Sequence, residues 1–290
     1  MIVRPPPGVR RPDSARIARM LGAHEHETIA KALAATLPTS TDISRLPPTN
    51  QGFSESCTAH ALVKGIEIIT GGFLGSEHVL YSMTGLLEGD SGDVGRACMD
   101  TMQVARTSGI CPFEGMSPDG RNSDVWTDQD TAAVPPNVTT PATADEIAEA
   151  AKHVIPLGEH TILPSAPNRS DLVVASLAAG CPIYLGTVVG QNFFNDGGGM
   201  VIGPDPANDP QAGGHALLIV GHRTNPNGVR NFKVENSWGE LWDDAGECWA
   251  SEGWVAACYE LHPLVLGTSV PPTMLPSWLA GLVAKIRAIV

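Results

Sequence analysis

The 290-residue sequence predicts an α+β protein whose first half is helical and whose second half forms a sheet. Two observations support this fold class. Apolar residues recur at helical spacing up to about residue 180, and β-rich apolar runs follow after that point. Helices grouped before strands are typical of α+β folds, in which a cleft between the two halves is a natural binding site.

The first predicted element is a helix over residues 13–37, which follows a Pro- and Arg-rich arm and stops at Pro38. The next begins at or just before Cys57, since apolar residues recur at helical spacing from Ala59 to the paired glycines at Gly71. Further helices are predicted over residues 79–87, 96–107, 144–153, 170–179 and 276–290. Strands are predicted over 181–189, 216–220, 231–236 and 249–254, with a loop over 190–214.

The composition excludes several classes of protein. Lys plus Arg number 18 against 31 Asp plus Glu, so nucleic-acid binding is not expected, because phosphate contacts need a basic face. No run of about 18 apolar residues exists, so no membrane span is predicted. The first 25 residues lack the apolar core of a secretory signal, which indicates a cytoplasmic protein, or one released without a recognisable signal.

The six cysteines are too sparse for a disulfide scaffold and contain no CxxC pair. We therefore expect reduced thiols, and neither a metal site nor a cofactor is predicted. Cys98 and Cys111 lie near opposite ends of one predicted helix, too far apart to pair easily. A bond between Cys248 and Cys258 stays open, because neighbours in a hairpin are close.

Cys57 is the strongest candidate for a reactive residue. A helix N-terminus favours a thiolate, and Gln51-Gly52 forms a turn that brings an amide donor back toward the sulfur. A nucleophilic thiol also needs an imidazole and a group that orients it. His215 precedes a buried strand, and Asn236 ends the next strand, so these side chains meet if the strands are neighbours. Trp238 would then cover their hydrogen bond.

Taken together, these motifs resemble the papain-like cysteine peptidase family. Gln51 stands six residues before Cys57, as the family's oxyanion-hole glutamine stands before its nucleophile. The Asn-Ser-Trp-Gly run at Asn236 matches the family's asparagine segment, and the resemblance covers about residues 42–262. It implies a two-lobed fold with a helical N-terminal lobe, an antiparallel sheet or barrel as C-terminal lobe, and the active-site cleft between them.

The resemblance also assigns roles. Cys57 is the nucleophile, His215 the acid and base, Asn236 the residue that orients His215, and Gln51 the donor to the oxyanion. Four residues are expected to bind substrate: Glu55, Gly95, Gly214 and Trp238. The expected partner is a protein or peptide substrate.

Three positions depart from the family signature C-G-[SA]-C-[WY]. Ser54 replaces the upstream disulfide cysteine, Glu55 replaces the glycine beside the nucleophile, and Thr58 replaces the following aromatic residue. Glu55 adds negative charge to the non-primed side of the cleft and raises the thiol pKa, which predicts slow activity or unusual specificity.

The sequence thus predicts a cysteine peptidase that hydrolyses peptide bonds through an acyl-enzyme. Two alternatives remain: a catalytically weak or inactive binding module on the same fold, and a transpeptidase or amidase with the same triad. The predicted domains are an arm and helix over 1–41, a catalytic domain over 42–270 and an amphipathic helix over 271–290. The first is either a short pro-segment or an externally packed helix, and the last is a docking element for a partner.

Overall fold

The computed structural model describes residues 37–113, 138–194 and 200–267, apart from gaps at 46, 159–160, 163, 165, 167 and 202–210. The predicted helix over 276–290 and all but the last residue of the helix over 13–37 lie outside the described residues. The roles proposed for these two segments stay predictions.

Helices form the first part of the chain, as the apolar periodicity predicts. Their bounds are α1 Cys57–Thr70, α2 Glu77–Glu88, α3 Cys98–Thr107, α4 Ala144–Ala150, α5 Arg169–Ala178 and α6 Glu252–Ala257. Four of them lie within two residues of the predicted bounds, whereas α4 ends three residues early. The last, α6, is a correction, since the sequence predicts a strand as far as Trp254. Ser251 accepts a hydrogen bond from the Trp254 N–H, and this cap starts a helix instead.

The second part of the chain is a twisted sheet. The strands are β1 Ser40–Asp42, β2 Ile183–Gly190, β3 Met200–Val201, β4 Gln211–Thr224, β5 Arg230–Glu235, β6 Glu247–Ser251 and β7 Glu260–Pro263. Their order is β3-β6-β5-β4-β2-β7, and β1 pairs with β4. Every pair is antiparallel except β3 with β6. The sheet formed by the described residues is open, so the barrel variant of the prediction is not observed.

The prediction of a loop over residues 190–214 is partly wrong. β2 is followed by a 3₁₀ turn at Gln191–Phe193, and β4 begins at Gln211, five residues before the predicted start. The pair Gly213-Gly214 favours a loop on propensity alone. In the structure these glycines pair with Val189 and Val188 of β2, so cross-strand hydrogen bonding overrides their low strand propensity.

The position of α1 against the sheet decides where the candidate nucleophile lies. A Cβ at Gly65 would stand 2.3 Å from Leu264 Cδ1 and 3.1 Å from Leu218 Cδ2, so a glycine is needed where the helix crosses the strands. The helix ends at Gly71, whose φ of 77° and backbone hydrogen bonds make a left-handed C-cap. Because β4 and α1 lie this close, the first residue of α1 reaches the start of β4.

Successive side chains of β4 point alternately into two separate hydrophobic clusters. Ala216, Leu218 and Val220 face the helices, whereas Leu217 and Ile219 face the second cluster, which includes residues of α5 and α6. His215 shares the face of Leu217 by the same alternation. Helix α1, which begins at Cys57, and strand β4, which carries His215, therefore meet along the boundary between the two cores.

All six cysteines are free, so the alternative pairing of Cys248 with Cys258 is not observed. The separation expected for Cys98 and Cys111 agrees with their free state. Among the described residues, no helix combines the length and apolar character needed to cross a bilayer.

Candidate active site

Cys57 is the first residue of α1, and its side chain is fully buried. The backbone N–H of Ala216 lies on the side of this thiol and acts to lower its pKa. Ala216 directly follows His215 in β4, so the thiol contacts the strand that carries the imidazole. The backbone N–H groups of Cys57 and Thr58, in the first turn of the helix, also act to lower the pKa of this thiol.

The ring of His215 is held by Asn236, which follows β5. Nε2 of His215 lies 2.8 Å from Oδ1 of Asn236, and the Ser237 backbone N–H donates to the same Oδ1 at 2.8 Å. A backbone N–H is only a donor, so the acceptor is the amide oxygen and Nε2 of His215 carries the proton. The neutral ring therefore has its basic nitrogen at Nδ1.

Aromatic side chains enclose this histidine. The ring of Trp238 lies 5.0 Å from that of His215, and Phe193 meets His215 edge-on at 6.0 Å. Phe194 stacks on the other side of this cluster, 5.1 Å from Trp238, and Trp242 lies 4.9 Å from Phe193. The cluster excludes water from the His215–Asn236 bond, which strengthens that bond.

Gln51 is fixed by three hydrogen bonds to two residues, Ser54 and Ser237, and is 4% exposed. Its Nε2 donates to the Ser54 carbonyl at 2.6 Å, and its Oε1 accepts from the Ser237 hydroxyl at 2.5 Å. Its own N–H donates to the Ser237 carbonyl at 2.8 Å. An amide nitrogen carries two protons, so one N–H of Gln51 stays available to an oxyanion.

The hydroxyl of Ser54 stabilises the turn before α1 through hydrogen bonds. Its hydroxyl donates to the Gln51 carbonyl at 2.7 Å and lies 2.5 Å from the Ser56 hydroxyl. It stands where the family signature has a disulfide cysteine. Hydrogen bonds thus hold the turn that a covalent bridge holds in the family pattern.

Burial and a neighbouring carboxylate control the charge of Cys57. Burial, together with the charge of Glu55, raises the pKa of the Cys57 thiol to about 12, although the Ala216 N–H opposes this rise. Burial and the charge of Asp93 raise the pKa of Glu55 to about 7. In this structure the resting thiol is therefore protonated at neutral pH.

Glu55 is tied to the loop before α3. Its backbone N–H donates to Asp93 Oδ1 at 2.8 Å, and the Tyr81 hydroxyl donates to the same oxygen at 2.8 Å. Arg96 packs over the Tyr81 ring at 4.5 Å, and its guanidinium donates to the carbonyl oxygens of Gly92 and Gly95. This arrangement places two carboxyl groups beside the first turn of α1.

The two predicted glycine contacts lie on either side of this region. Gly95 has a φ of 72°, which a side chain tolerates poorly, and it precedes α3. Gly214 lies in β4 immediately before His215 and pairs with Val188. Contact of Glu55, Gly95, Gly214 or Trp238 with a substrate stays a prediction, as do the catalytic roles of the other four residues.

Sequence reasoning did not identify several residues that shape the site. Phe193 and Phe194 fall in the predicted loop over 190–214, although an aromatic pair at the end of a buried strand is a usable signal. Ser237 lies inside the recognised Asn-Ser-Trp-Gly run, yet its side-chain role depends on Gln51. Asp93 carries no local signal, because only the tertiary fold brings it to Glu55. Within the described residues, no group of three or more His, Cys, Asp or Glu is arranged to hold a metal ion.

Comparison with known proteins identifies the fold. No protein-family profile matches the chain, and no curated protein matches its sequence. The crystal structure of xylellain, a cysteine protease from Xylella fastidiosa, is similar over 91% of this chain and 99% of its own, with a TM-score of 0.67 and 25% identity. Procathepsin B S9 from Trypanosoma congolense matches over 92% of this chain and 84% of its own, with a TM-score of 0.58 and 16% identity.

The bromelain protease from Ananas comosus shares the same fold at 19% identity, over 79% of this chain and all of its own, with a TM-score of 0.55. The chain thus has the fold of the papain-like cysteine peptidases, and such peptidases are hydrolases. The family indicated by the motifs around Cys57, His215 and Asn236 is confirmed, and so is the predicted mixture of helices and antiparallel sheet.

Proposed function

We propose that this chain hydrolyses peptide bonds by covalent catalysis, with Cys57 as nucleophile, His215 as acid and base, and Asn236 as the residue that orients His215. One observation carries the proposal: the ring of His215 is hydrogen-bonded to Asn236, and the backbone N–H of the next residue, Ala216, acts on the Cys57 thiol and lowers its pKa. In this proposal α1 supplies the thiol, β4 the imidazole and the segment after β5 the amide.

The proposed first step forms a bond between Cys57 Sγ and the carbonyl carbon of a peptide. The thiol proton passes to Nδ1 of His215, since Nε2 already carries a proton for Asn236. The carbonyl π electrons move to the oxygen. The resulting oxyanion accepts hydrogen bonds from the second N–H of Gln51 and from the backbone N–H of Cys57.

The proposed second step breaks the carbon–nitrogen bond and leaves a thioester on Cys57. The proton on Nδ1 of His215 passes to the leaving nitrogen, which departs as an amine. A water molecule then attacks the thioester as His215 accepts one of its protons. The carbon–sulfur bond breaks, the acid is released, and the proton returns to sulfur.

The raised pKa of Cys57 matters for this scheme. Because the thiol is neutral in the resting protein, proton transfer to His215 has to accompany attack. Asn236 favours this transfer, since its Oδ1 accepts from Nε2 of His215 and stabilises the imidazolium once it forms. Substrate that neutralises nearby negative charge would lower the cost further.

The first experiment is intact-mass measurement after incubation with an epoxysuccinyl or iodoacetamide probe, with Cys57→Ala as the control. The proposal predicts a single adduct at Cys57 that is absent from the control. Wild-type protein is then screened against a peptide library, and the new termini are mapped by mass spectrometry. Labelling and cleavage that both disappear in Cys57→Ala support the peptidase.

One observation favours a second candidate, a binding module without catalysis. Cys57 is fully buried and its pKa is raised by a neighbouring Glu55, which the family signature lacks. Absence of labelling at Cys57 together with absence of cleavage would favour this candidate. Product analysis in the presence of an added amine separates hydrolysis from transfer, because a transpeptidase would yield a new amide rather than a free acid.

A further inference from the structure

The carboxyl groups beside Cys57 have no cationic partner within the described part of the chain. Glu55 is half-buried, and its Oε2 is buried without a hydrogen-bond partner among the described residues. Asp93 receives two hydrogen bonds, both on Oδ1, from the Tyr81 hydroxyl and the Glu55 backbone. Lysine and arginine side chains of the described residues form no ion pair with either carboxyl group.

The nearest guanidinium serves another purpose. Arg96 is 1% exposed, stacks over Tyr81 and donates to the backbone carbonyls of Gly92 and Gly95. Its Nη1 lies 3.9 Å from a Glu88 oxygen. The arginine therefore braces the loop that carries Asp93 and leaves the charge of Glu55 uncompensated.

Chain geometry places this charge at the reacting centre. Only Ser56 separates Glu55 from Cys57 in the chain, and the charge of Glu55 raises the pKa of the thiol. A cation that binds the Glu55 carboxylate thus lies beside the peptide bond that Cys57 would attack. It would offset the repulsion between two like charges and the unpaired burial of Oε2.

On the basis of the proposed function, we propose that Glu55, supported by Asp93, makes this enzyme selective for peptides with a cationic group next to the scissile bond. The group is an ammonium or guanidinium, supplied either by a lysine or arginine side chain or by a free amino terminus. Binding of that cation neutralises Glu55 and so lowers the cost of removing the proton from Cys57. The cation therefore raises kcat as well as lowering KM.

The test compares N-acylated fluorogenic peptides in which the residue at the scissile carbonyl is arginine or its neutral isostere citrulline. Wild-type protein should cleave the arginine peptide with a kcat/KM higher by about tenfold or more, as a charge-assisted hydrogen bond implies. In Glu55→Gln the ratio should fall close to one. Glu252→Gln is the matched control, since the Glu252 side chain is 44% exposed and its partner Arg230 keeps Asp171.

A second arm distinguishes the two sources of the cation. Unblocked peptides with neutral side chains carry a positive charge only at the amino terminus. The ratio of kcat/KM for these peptides to that for their N-acylated versions therefore reports on recognition of the amino terminus. Either preference supports the proposal, provided that Glu55→Gln removes it. Equal cleavage of charged and neutral peptides by wild-type protein would overturn it while leaving the peptidase function intact.

A third arm does not depend on peptidase activity. Methanethiosulfonate reagents with a trimethylammonium or a sulfonate group are compared in their rates of reaction with Cys57. The ratio of the rate with the cationic reagent to the rate with the anionic reagent should be higher for wild-type protein than for Glu55→Gln. If no peptide is cleaved yet this difference is present, the proposed function fails and cation recognition stands. If the difference is absent, cation recognition fails as well.

Discussion

The Ser237 hydroxyl donates a hydrogen bond to Oε1 of Gln51 across 2.5 Å, and so links the segment after β5 to the turn before α1. A backbone hydrogen bond from the Gln51 N–H to the Ser237 carbonyl reinforces the link. The amide of Gln51 can therefore adopt only one orientation, with Nε2 toward the Ser54 carbonyl and one N–H left for substrate. The partner of His215 and the proposed oxyanion donor are thus held by one segment, residues 236–237.

Ser237→Ala tests this coupling. Loss of the hydroxyl removes the hydrogen bond that holds Oε1 of Gln51 in place. We therefore expect kcat to fall about tenfold, the effect of losing one buried hydrogen bond. Gln51→Ala should cost more, roughly 100- to 1000-fold, because it deletes the donor itself. Steady-state kinetics on one peptide substrate measures both effects.

Alkylation of Cys57 serves as the control for Ser237→Ala. Iodoacetamide forms no oxyanion, so its rate with Ser237→Ala should equal that with wild-type protein. A parallel loss of alkylation and of kcat would contradict an oxyanion role and indicate instead a general disturbance of the site.

Glu55→Gln should change how the reactivity of Cys57 depends on pH. The pKa of Glu55 is about 7, so its carboxylate acts on the thiol mainly above that pH and raises the thiol pKa. The ratio of alkylation rates, Glu55→Gln over wild type, should be near one well below pH 7 and rise several-fold between pH 7 and 9. Iodoacetamide, which is neutral, measures it without interference from reagent charge.

A ratio that stays constant over this pH range would show that the Glu55 charge does not reach the sulfur. A ratio below one at high pH would reverse the sign of the interaction. Glu252→Gln should follow the wild-type profile throughout, because the Glu252 side chain is 44% exposed and paired with Arg230.

Local sequence signals predicted the elements that carry the candidate site. Helical periodicity from Ala59 placed the start of α1 at Cys57, and the alternation around His215 and Asn236 placed two adjacent strands. These signals work because burial of one face imposes a period on the sequence. The His215–Asn236 hydrogen bond requires those strands to be neighbours, a condition that the sequence left open and that the pairing of β4 with β5 fulfils.

The parts that sequence reasoning did not predict depend on tertiary contacts. β1 pairs with β4 through three polar residues, and no apolar alternation marks it. Trp254 fits a strand by composition, but the Ser251 cap starts a helix. Asp93 reaches Glu55 only because the loop before α3 folds back to the start of α1. Such contacts join residues far apart in sequence and leave no periodic trace.

Asn236→Asp and Asn236→Ala should differ in activity. Nδ2 of Asn236 is buried without a hydrogen-bond partner among the described residues, so its replacement by oxygen removes no hydrogen bond. Aspartate keeps the acceptor for Nε2 of His215 and stabilises the imidazolium, whereas alanine leaves the ring without its restraint. We expect kcat/KM of Asn236→Ala to fall about tenfold or more below that of Asn236→Asp.

The pH profile adds a second criterion for the Asn236 pair. A carboxylate beside imidazole favours the protonated ring, so the pH limb that reports the histidine should move to higher pH in Asn236→Asp. Equal activities and equal profiles for the two variants would show that the hydrogen bond to His215 does not contribute to the reaction.

Glu235→Gln should make the free energy of unfolding less dependent on pH. Glu235 ends β5, is 4% exposed, and neither of its carboxylate oxygens has a hydrogen-bond partner in the described structure. Burial raises its pKa from 4.5 to about 8; Glu247 and Glu67 add to the rise, and Lys64 and Lys233 oppose it. The folded state thus holds a proton that the unfolded chain releases above pH 4.5.

The sign of the Glu235 effect follows from this difference in proton binding. Wild-type stability from Glu235 is fully present below pH 4.5 and declines by about 1.4 kcal/mol per pH unit until pH 8, where the folded state also ionises. Glu235→Gln lacks this decline, so its stability relative to wild type should grow across that window and then level off. Urea unfolding at a series of pH values measures it. A constant offset would contradict the assignment, because a glutamine that merely packs differently shifts stability equally at every pH.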